Sequence, residues 1–286
     1  MIVSGGFRMT KGRVVITGAS TGIGEACALR LDQLGFVVYA GVRRQSDGDA
    51  LKAKSSGGLS PVIIDVTDPD SIALVARSLA GQPLAGLVNN AGVNVSAPVE
   101  LVPLDRLRFQ LEVNVIGQVA VTQAFLPHLR LGRGRIVNIG SIGGRGVVPI
   151  QGPYSASKFA LEAINDALRL ELKPWGIEVS IVEPGAIKTP IWDKGISGAD
   201  ELLAQIPQDQ RDLYHKVIAT IRGFAVKTAG TAIPPSAVAK AVEHALTSMR
   251  PKTRYVVGKD AKIQALINRL PDRWRDAVIY KFLGLS

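Results

Sequence analysis

The chain has 286 residues, 47% of them hydrophobic, with a mean hydropathy of +0.20 and a formal net charge of +10. That apolar share excludes a disordered chain and suffices for a large α/β domain, whereas the longest apolar-plus-glycine run, the eight residues Gly35–Val42, is too short to span a bilayer. The charge does not point to nucleic acid: residues 250–286 hold nine Lys/Arg against three Asp/Glu, so only +4 is left on the other 249 residues, with no zinc-finger spacing or RNP-like aromatic strand beside it. At the N-terminus, "MIVSGGFRMTKGR" lacks the apolar core of a secretory signal, and Cys27 is the only cysteine, so the expected location is cytoplasmic. Arg13–Thr17 reads as a strand and Ile23–Leu34 as a helix closed by Gly35. Strand-like runs follow at Phe36–Val42, Pro61–Asp65, Leu84–Asn89, Arg135–Ile139, Glu178–Val182 and Tyr255–Val257. Helical periods fall at Ser71–Leu79, Leu104–Leu129, Ser155–Lys173 and Ser236–Thr247. Such alternation requires parallel pairing through right-handed crossovers. The fold class is therefore α/β: one doubly wound, Rossmann-like domain over residues 1–286, with about seven parallel strands, helices on both faces and ligands at the carboxyl edge.

The first strand runs into "VVITGASTGIG", residues 14–24, which sets Gly18, Gly22 and Gly24 between strand and helix. Glycines admit close approach of a pyrophosphate, and the helix N-terminus offers free N–H groups to it. The same residues contain G-x-S-x-G around Ser20, the nucleophile elbow of hydrolases. That reading fails because only one strand precedes Ser20, leaving no earlier loop for an oxyanion donor, and His128, His215 and His244 all fall within helical patterns.

Tyr154 and Lys158 are four residues apart at the start of a helix, so they can share one face. A free tyrosine, with a pKa of about 10, is too basic for acid–base work near neutrality, and a nearby ammonium is expected to lower it. Ser141, past the strand "RIVNIG", and "NNAG", Asn89–Gly92, reach the same sheet edge, while Asn114 lies in the long helical region.

TGxxxGxG, NNAG, the Asn of "NVxG", a Ser after the fifth strand, YxxxK and a "PG" after the sixth occur in the order of the short-chain dehydrogenase/reductase family, which the chain resembles over roughly residues 12–190. The resemblance implies a catalytic tetrad. In it, Tyr154 exchanges the proton, Lys158 lowers its pKa and holds the nicotinamide ribose, Ser141 steadies the substrate oxygen, and Asn114 holds a water linking Lys158 to solvent. It also implies a cofactor site: Gly18, Ser20, Thr21, Gly22, Ile23 and Gly24 in the first turn, Asp65 with Val66 at the adenine, and Asn90 beside the adenosine ribose, followed by Ala91 and Gly92. Pro184, Gly185, Ile187 (through its backbone) and Thr189 would clasp the nicotinamide end. No metal is implied, and a homodimer or homotetramer is expected.

NAD-preferring members place a carboxylate at the tip of the second strand. Here, eighteen residues on from Gly24, stands Val42, followed by Arg43 and Arg44. A guanidinium can pair bidentately with a 2′-phosphate, so NADP(H) is expected over NAD(H), with Arg43 as main contact and Arg44 as second. Residues 186–232 form the expected substrate region, with Trp192, Leu202, Leu203, Ile206, Ile218 and Ile221 among its apolar residues; Val147, Val148 and Ile150 flank the serine. Together they suggest a small apolar alcohol or ketone, steroid-, retinoid- or lipid-like, in a layout similar to hydroxysteroid and retinol dehydrogenases. The alternatives are an NAD-dependent dehydrogenase of the same family and a non-catalytic dinucleotide-sensing scaffold. The basic amphipathic segment 250–286, with Ile263, Leu266, Trp274, Val278 and Phe282 at helical spacing, is read as a cover for the pocket, a subunit interface or a peripheral membrane contact.

Overall fold

The structure, a computed structural model, describes residues 11–285. The segment read above for a secretory signal falls mostly outside them, in residues 1–10, as does Ser286. Seven parallel strands form one sheet: β1 (Arg13–Ile16), β2 (Val37–Val42), β3 (Leu59–Ile63), β4 (Gly86–Asn89), β5 (Arg135–Ile139), β6 (Glu178–Pro184) and β7 (Arg254–Val257), in the order β3-β2-β1-β4-β5-β6-β7. The order reverses direction at β1 and β4, which opens a crevice at the carboxyl edge between them.

The helices cover both faces: α1 (Gly22–Gln33), α2 (Gln45–Lys52), α3 (Pro69–Ser78), α4 (Leu104–Leu111), α5 (Gly117–Gly132), α6 (Gly152–Glu171), α7 (Ile191–Ala204), α8 (Gln208–Thr231), α9 (Ser236–Thr247), α10 (Lys259–Ile267) and α11 (Asp272–Leu283). Because side chains alternate along a strand, β1 feeds two cores. Val14 and Ile16 pack with α1 and α9 residues such as Leu31 and Val242, while Val15 packs on the other face with Val121, Phe125 and Leu129 of α5.

Among the segments that differ from the sequence reading are two within expected elements. The helix expected over Leu104–Leu129 is interrupted by a π-helical turn at Glu112–Ile116, in which Asn114 is wholly buried. The strand expected at Pro61–Asp65 begins earlier, at Leu59, and ends at Ile63. β3 is an edge strand, where a proline without an N–H is tolerated, so Pro61 does not end the pairing.

Candidate active site

The first turn is drawn in from two sides. Gly18 and Gly22 have φ of +63° and +62°, conformations that a Cβ disfavours. A Cβ at Gly24 would lie 2.2 Å from the Gly18 carbonyl oxygen, and one at Gly22 would lie 2.9 Å from the Thr189 methyl. Asn90 Nδ2 donates to the carbonyls of Thr17 and Gly18, both at 2.9 Å. Thr17, a residue the sequence reading passed over, completes the tie by accepting the N–H groups of Asn90 and Ala91 at 3.0 and 3.1 Å. At the start of α1, Thr21 is extended and no side chain caps the helix, so the N–H groups of Gly22, Ile23 and Gly24 face the turn that also holds Ser20. A closed glycine turn with an uncapped helix N-terminus fits a dinucleotide pyrophosphate.

Asp65 caps its own turn, its Oδ1 accepting the N–H and hydroxyl of Thr67 at 2.9 and 2.8 Å, and Val66 beside it is buried under Gly117. Asn114 is engaged from both ends of its amide. Oδ1 accepts the Val93 N–H at 2.8 Å, and Nδ2 donates to the Val93 carbonyl and to Ser157 Oγ, both at 3.0 Å. Its oxygen retains a lone pair facing Gly92, where a Cβ would lie 3.4 Å from Asn114 Oδ1 and 3.9 Å from Lys158 Nζ.

Ser141 follows β5, and Tyr154 and Lys158 lie on the first turns of α6. Ser141 and Tyr154 meet over Gly143, whose Cβ would be 3.4 Å from Ser141 Oγ and 3.5 Å from the Tyr154 ring edge. Lys158 is 5% exposed; its Nζ lies 5.8 Å from the Tyr154 ring centroid and donates to the Ile139 carbonyl at 3.0 Å. The ionisation differs from expectation. Burial pushes Lys158 down to about 8, opposed by the negative charge of Glu162. Burial pushes Tyr154 above its ordinary value, and the opposing pull comes from the Ser141 hydroxyl rather than from Lys158.

Behind Lys158 lies an ion network that the motifs did not indicate. Arg254 of β7 pairs with Glu162, with Glu183 at 3.1 Å and with Asp166 at 2.7 Å, while Arg145 of the serine loop pairs with Glu183 at 3.0 Å. Burial and the neighbouring Glu183 push Glu162 up to about 7, against the pull of Arg254. A wholly buried Glu183 inside the apolar strand "SIVEP" was the available signal, since a buried carboxylate demands a partner.

Past β6, the "PGAIKT" segment is bound into the fold. The Gly185 N–H donates to the Val257 carbonyl at 2.9 Å, Ile187 is bridged to Ile233, and its carbonyl accepts Trp192 Nε1 at 2.8 Å. At the tip of β2, Val42 is 1% exposed, whereas Arg43 and Arg44 are exposed, with Arg44 at the start of α2. None of the ion pairs among the described residues involves either arginine.

Trp192, Ile196, Leu203, Ile218 and Ile221 of α7 and α8 line an apolar cleft with Ile150. Leu202 and Ile206 instead fill a small core with Ala97 and Val102. Ile150 has φ +71°, a strained state for a β-branched residue, and its carbonyl accepts the Ala97 N–H at 3.0 Å. It also borders a second cleft, with Val147 and Val148 on one side and Ile279 and Tyr280 of α11 on the other. The C-terminal segment thus packs near the serine loop, yet Ile263, Leu266, Trp274 and Phe282 remain 59–73% exposed. Among the described residues no helix is long and apolar enough to cross a membrane. Cys27 is buried with its thiol pushed up to about 12, which leaves it inert.

The chain matches the family model for short chain dehydrogenase over residues 12–198. It is 36% identical over 281 residues to dehydrogenase/reductase SDR family member 9 of Homo sapiens, covering 94% of this chain and 87% of the relative. Over 284 residues it is 38% identical to retinol dehydrogenase 5 of Mus musculus, with coverage of 93% and 87%. An NADPH-dependent 3-dehydrocapnine reductase of Ornithobacterium rhinotracheale is 36% identical over 279 residues, with coverage of 94% and 96%. Among solved structures, a short-chain dehydrogenase from Streptomyces avermitilis superposes with a TM-score of 0.75 at 27% identity, covering 96% of this chain and 98% of that one. Another from Burkholderia cenocepacia, in complex with NADP, gives a TM-score of 0.70 at the same identity and coverage.

Proposed function

The chain belongs to the short-chain dehydrogenase family and is an oxidoreductase, and on that premise we propose that it interconverts an alcohol and its carbonyl on a small apolar substrate, with NADP(H) as preferred cofactor. The observation that carries this reading is the meeting of Ser141 and Tyr154 over Gly143, with buried Lys158 behind the phenol. When bound, the nicotinamide supplies or accepts the hydride. The residues proposed to hold the cofactor are the glycine turn with Ser20, Thr21 and Ile23, the Asp65–Val66 and Asn90–Gly92 corners, Arg43 and Arg44, Tyr154 and Lys158, and the segment Pro184–Thr189. Tyr154, raised above its ordinary pKa, holds its proton at neutral pH and can deliver it to a carbonyl oxygen that Ser141 also contacts. Lys158 keeps the phenol's far side polar, and Glu162 favours its charged form.

Support for NADP(H) comes from exposed Arg43 and Arg44 beside a buried Val42 that offers no acceptor. The α7–α8 cleft supports an apolar substrate, of the kind named for the retinol dehydrogenase relative. Exposed apolar residues among the basic residues of α10 and α11 support contact with an anionic lipid surface. Tyr154→Phe tests the mechanism: turnover should fall about 10²- to 10⁴-fold while cofactor affinity is retained. Full turnover of the variant on an identified substrate would overturn it.

A further inference from the structure

Asp260 lies in the first turn of α10, outside every motif used above, and as a residue it is exposed. Its carboxylate nevertheless turns inward: Oδ2 accepts the Ala186 N–H at 2.6 Å, across 74 positions of chain. Two glycines leave room for it. A Cβ at Gly185 would lie 2.1 Å from Asp260 Oδ2, and one at Gly258, where φ is +113°, would lie 2.3 Å from Oδ1. On its other side the segment is held by residue 233, whose N–H donates to the Ala186 carbonyl at 3.1 Å and whose carbonyl accepts the Lys188 N–H at 2.9 Å. At the far end of α10, Asn268 packs on Gly146, where a Cβ would lie 2.2 Å from Asn268 Oδ1. One short helix therefore touches both the segment after β6 and the loop carrying Ser141.

We infer that Asp260 is a positioning residue for the nicotinamide half of the cofactor site, its carboxylate fixing the Ala186 N–H and with it the course of the backbone from Gly185 to Thr189. The inference rests on the reading of Pro184–Thr189 as the segment that clasps the nicotinamide. A carboxylate accepting a backbone N–H is among the stronger hydrogen bonds available, and it is directional. Without it, the Ala186 N–H loses its partner, and the course of the backbone toward Ile187 and Thr189 is held only by Val257 and Ile233.

The experiment compares wild type, D260L, D260A, D260N and T189V by direct binding of NADPH and of 2′-phospho-ADP-ribose, which lacks the nicotinamide, together with kcat, KM and Tm. D260L and D260A should raise Kd and KM for NADPH about tenfold, equivalent to about 1.4 kcal/mol, while leaving the affinity for 2′-phospho-ADP-ribose unchanged. D260N retains an acceptor oxygen and should stay within about threefold of wild type. Because Asp260 is exposed, neither apolar variant opens a core cavity. Wild-type NADPH affinity in D260L and D260A overturns the inference, as does equal weakening of both ligands with a lowered Tm, the mark of a merely structural role. T189V separates the two readings. If it weakens NADPH selectively while the Asp260 variants do not, the segment clasps the nicotinamide but Asp260 does not position it; if NADPH binding is unchanged in T189V, the reading of the segment itself fails, and the inference with it.

Discussion

Arg43→Ala removes a guanidinium from the tip of β2 without disturbing packing, because Arg43 is exposed while Val42 before it is 1% exposed and stays in the core. Val42 pairs with Ile63 of β3, and α2 begins at Gln45, so the arginine stands between a strand end and a helix start on the side of the crevice proposed for the adenosine. A hydrogen bond to a charged group contributes about 1.5–3 kcal/mol. In solvent the lower part of that range applies, about 1.5–2 kcal/mol, which at about 1.4 kcal/mol per decade predicts a 10- to 30-fold loss of kcat/KM with NADPH. NADH has no 2′-phosphate, so its kcat/KM should remain within about twofold. Initial rates with both cofactors on one ketone substrate measure the ratio directly, and raising the ionic strength should weaken NADPH selectively. Equal losses with both cofactors, or a wild type that prefers NADH, would refute the selector role of Arg43.

The ion network and the C-terminal segment give three further expectations. Glu162→Gln removes the charge that holds Lys158 up, so the Lys158 ionisation near 8 should move to lower pH. The alkaline limb of kcat/KM for carbonyl reduction should move with it, and an unmoved or upward-shifted limb contradicts the coupling; the other charged groups facing Glu162, namely Arg254, Glu183, Asp166 and Arg145, are unchanged in the variant. Arg254→Met leaves Glu162 and wholly buried Glu183 facing Arg145 alone, which should cost about 3 kcal/mol and lower Tm by about 5 °C. Glu162 is raised from 4.5 to about 7, so its charge is present above that pH and the loss should be larger at pH 8 than at pH 5; a Tm difference that does not grow with pH argues against the network. Trp274→Ser with Phe282→Ser should reduce flotation with phosphatidylserine vesicles about tenfold, and wild-type flotation of the double variant would remove the tail from any lipid contact.

Much of the fold was legible because its signals are local. Arg135–Ile139 and Ser236–Thr247 were bounded correctly from apolar period alone, and the parallel order follows from strand–helix alternation. Short polar α2, with Gly48 inside it, carries no such period and was missed. The π-helical turn at Asn114 was also hidden, because a one-residue bulge hardly changes the apolar spacing on either side. In the site, residues of the motifs were easy to name, but what they touch was not. Asn90 ties back the glycine turn, and Ser141 rather than Lys158 offsets the raised pKa of Tyr154.

The contacts that escaped the sequence share one physical cause. Arg254 reaches Glu162 and Glu183 over 92 and 71 positions, and Asp260 reaches Ala186 over 74. Contacts made over such separations leave no periodic trace, because each needs only one polar residue at one point of the chain. All of them come from the end of the molecule, from β7 and α10, and act on α6, β6 and the segment after it. The motifs lie in the N-terminal two thirds of the chain, but the arginine that pairs with Glu162 behind Lys158 and the carboxylate that accepts the Ala186 N–H after β6 are supplied after residue 250. It follows that removing β7 and α10 should impair turnover even with Ser141, Tyr154 and Lys158 intact, since the remaining chain keeps the reacting groups and loses the partner of Glu162 and Glu183 behind Lys158 and the hydrogen bond to the segment after β6.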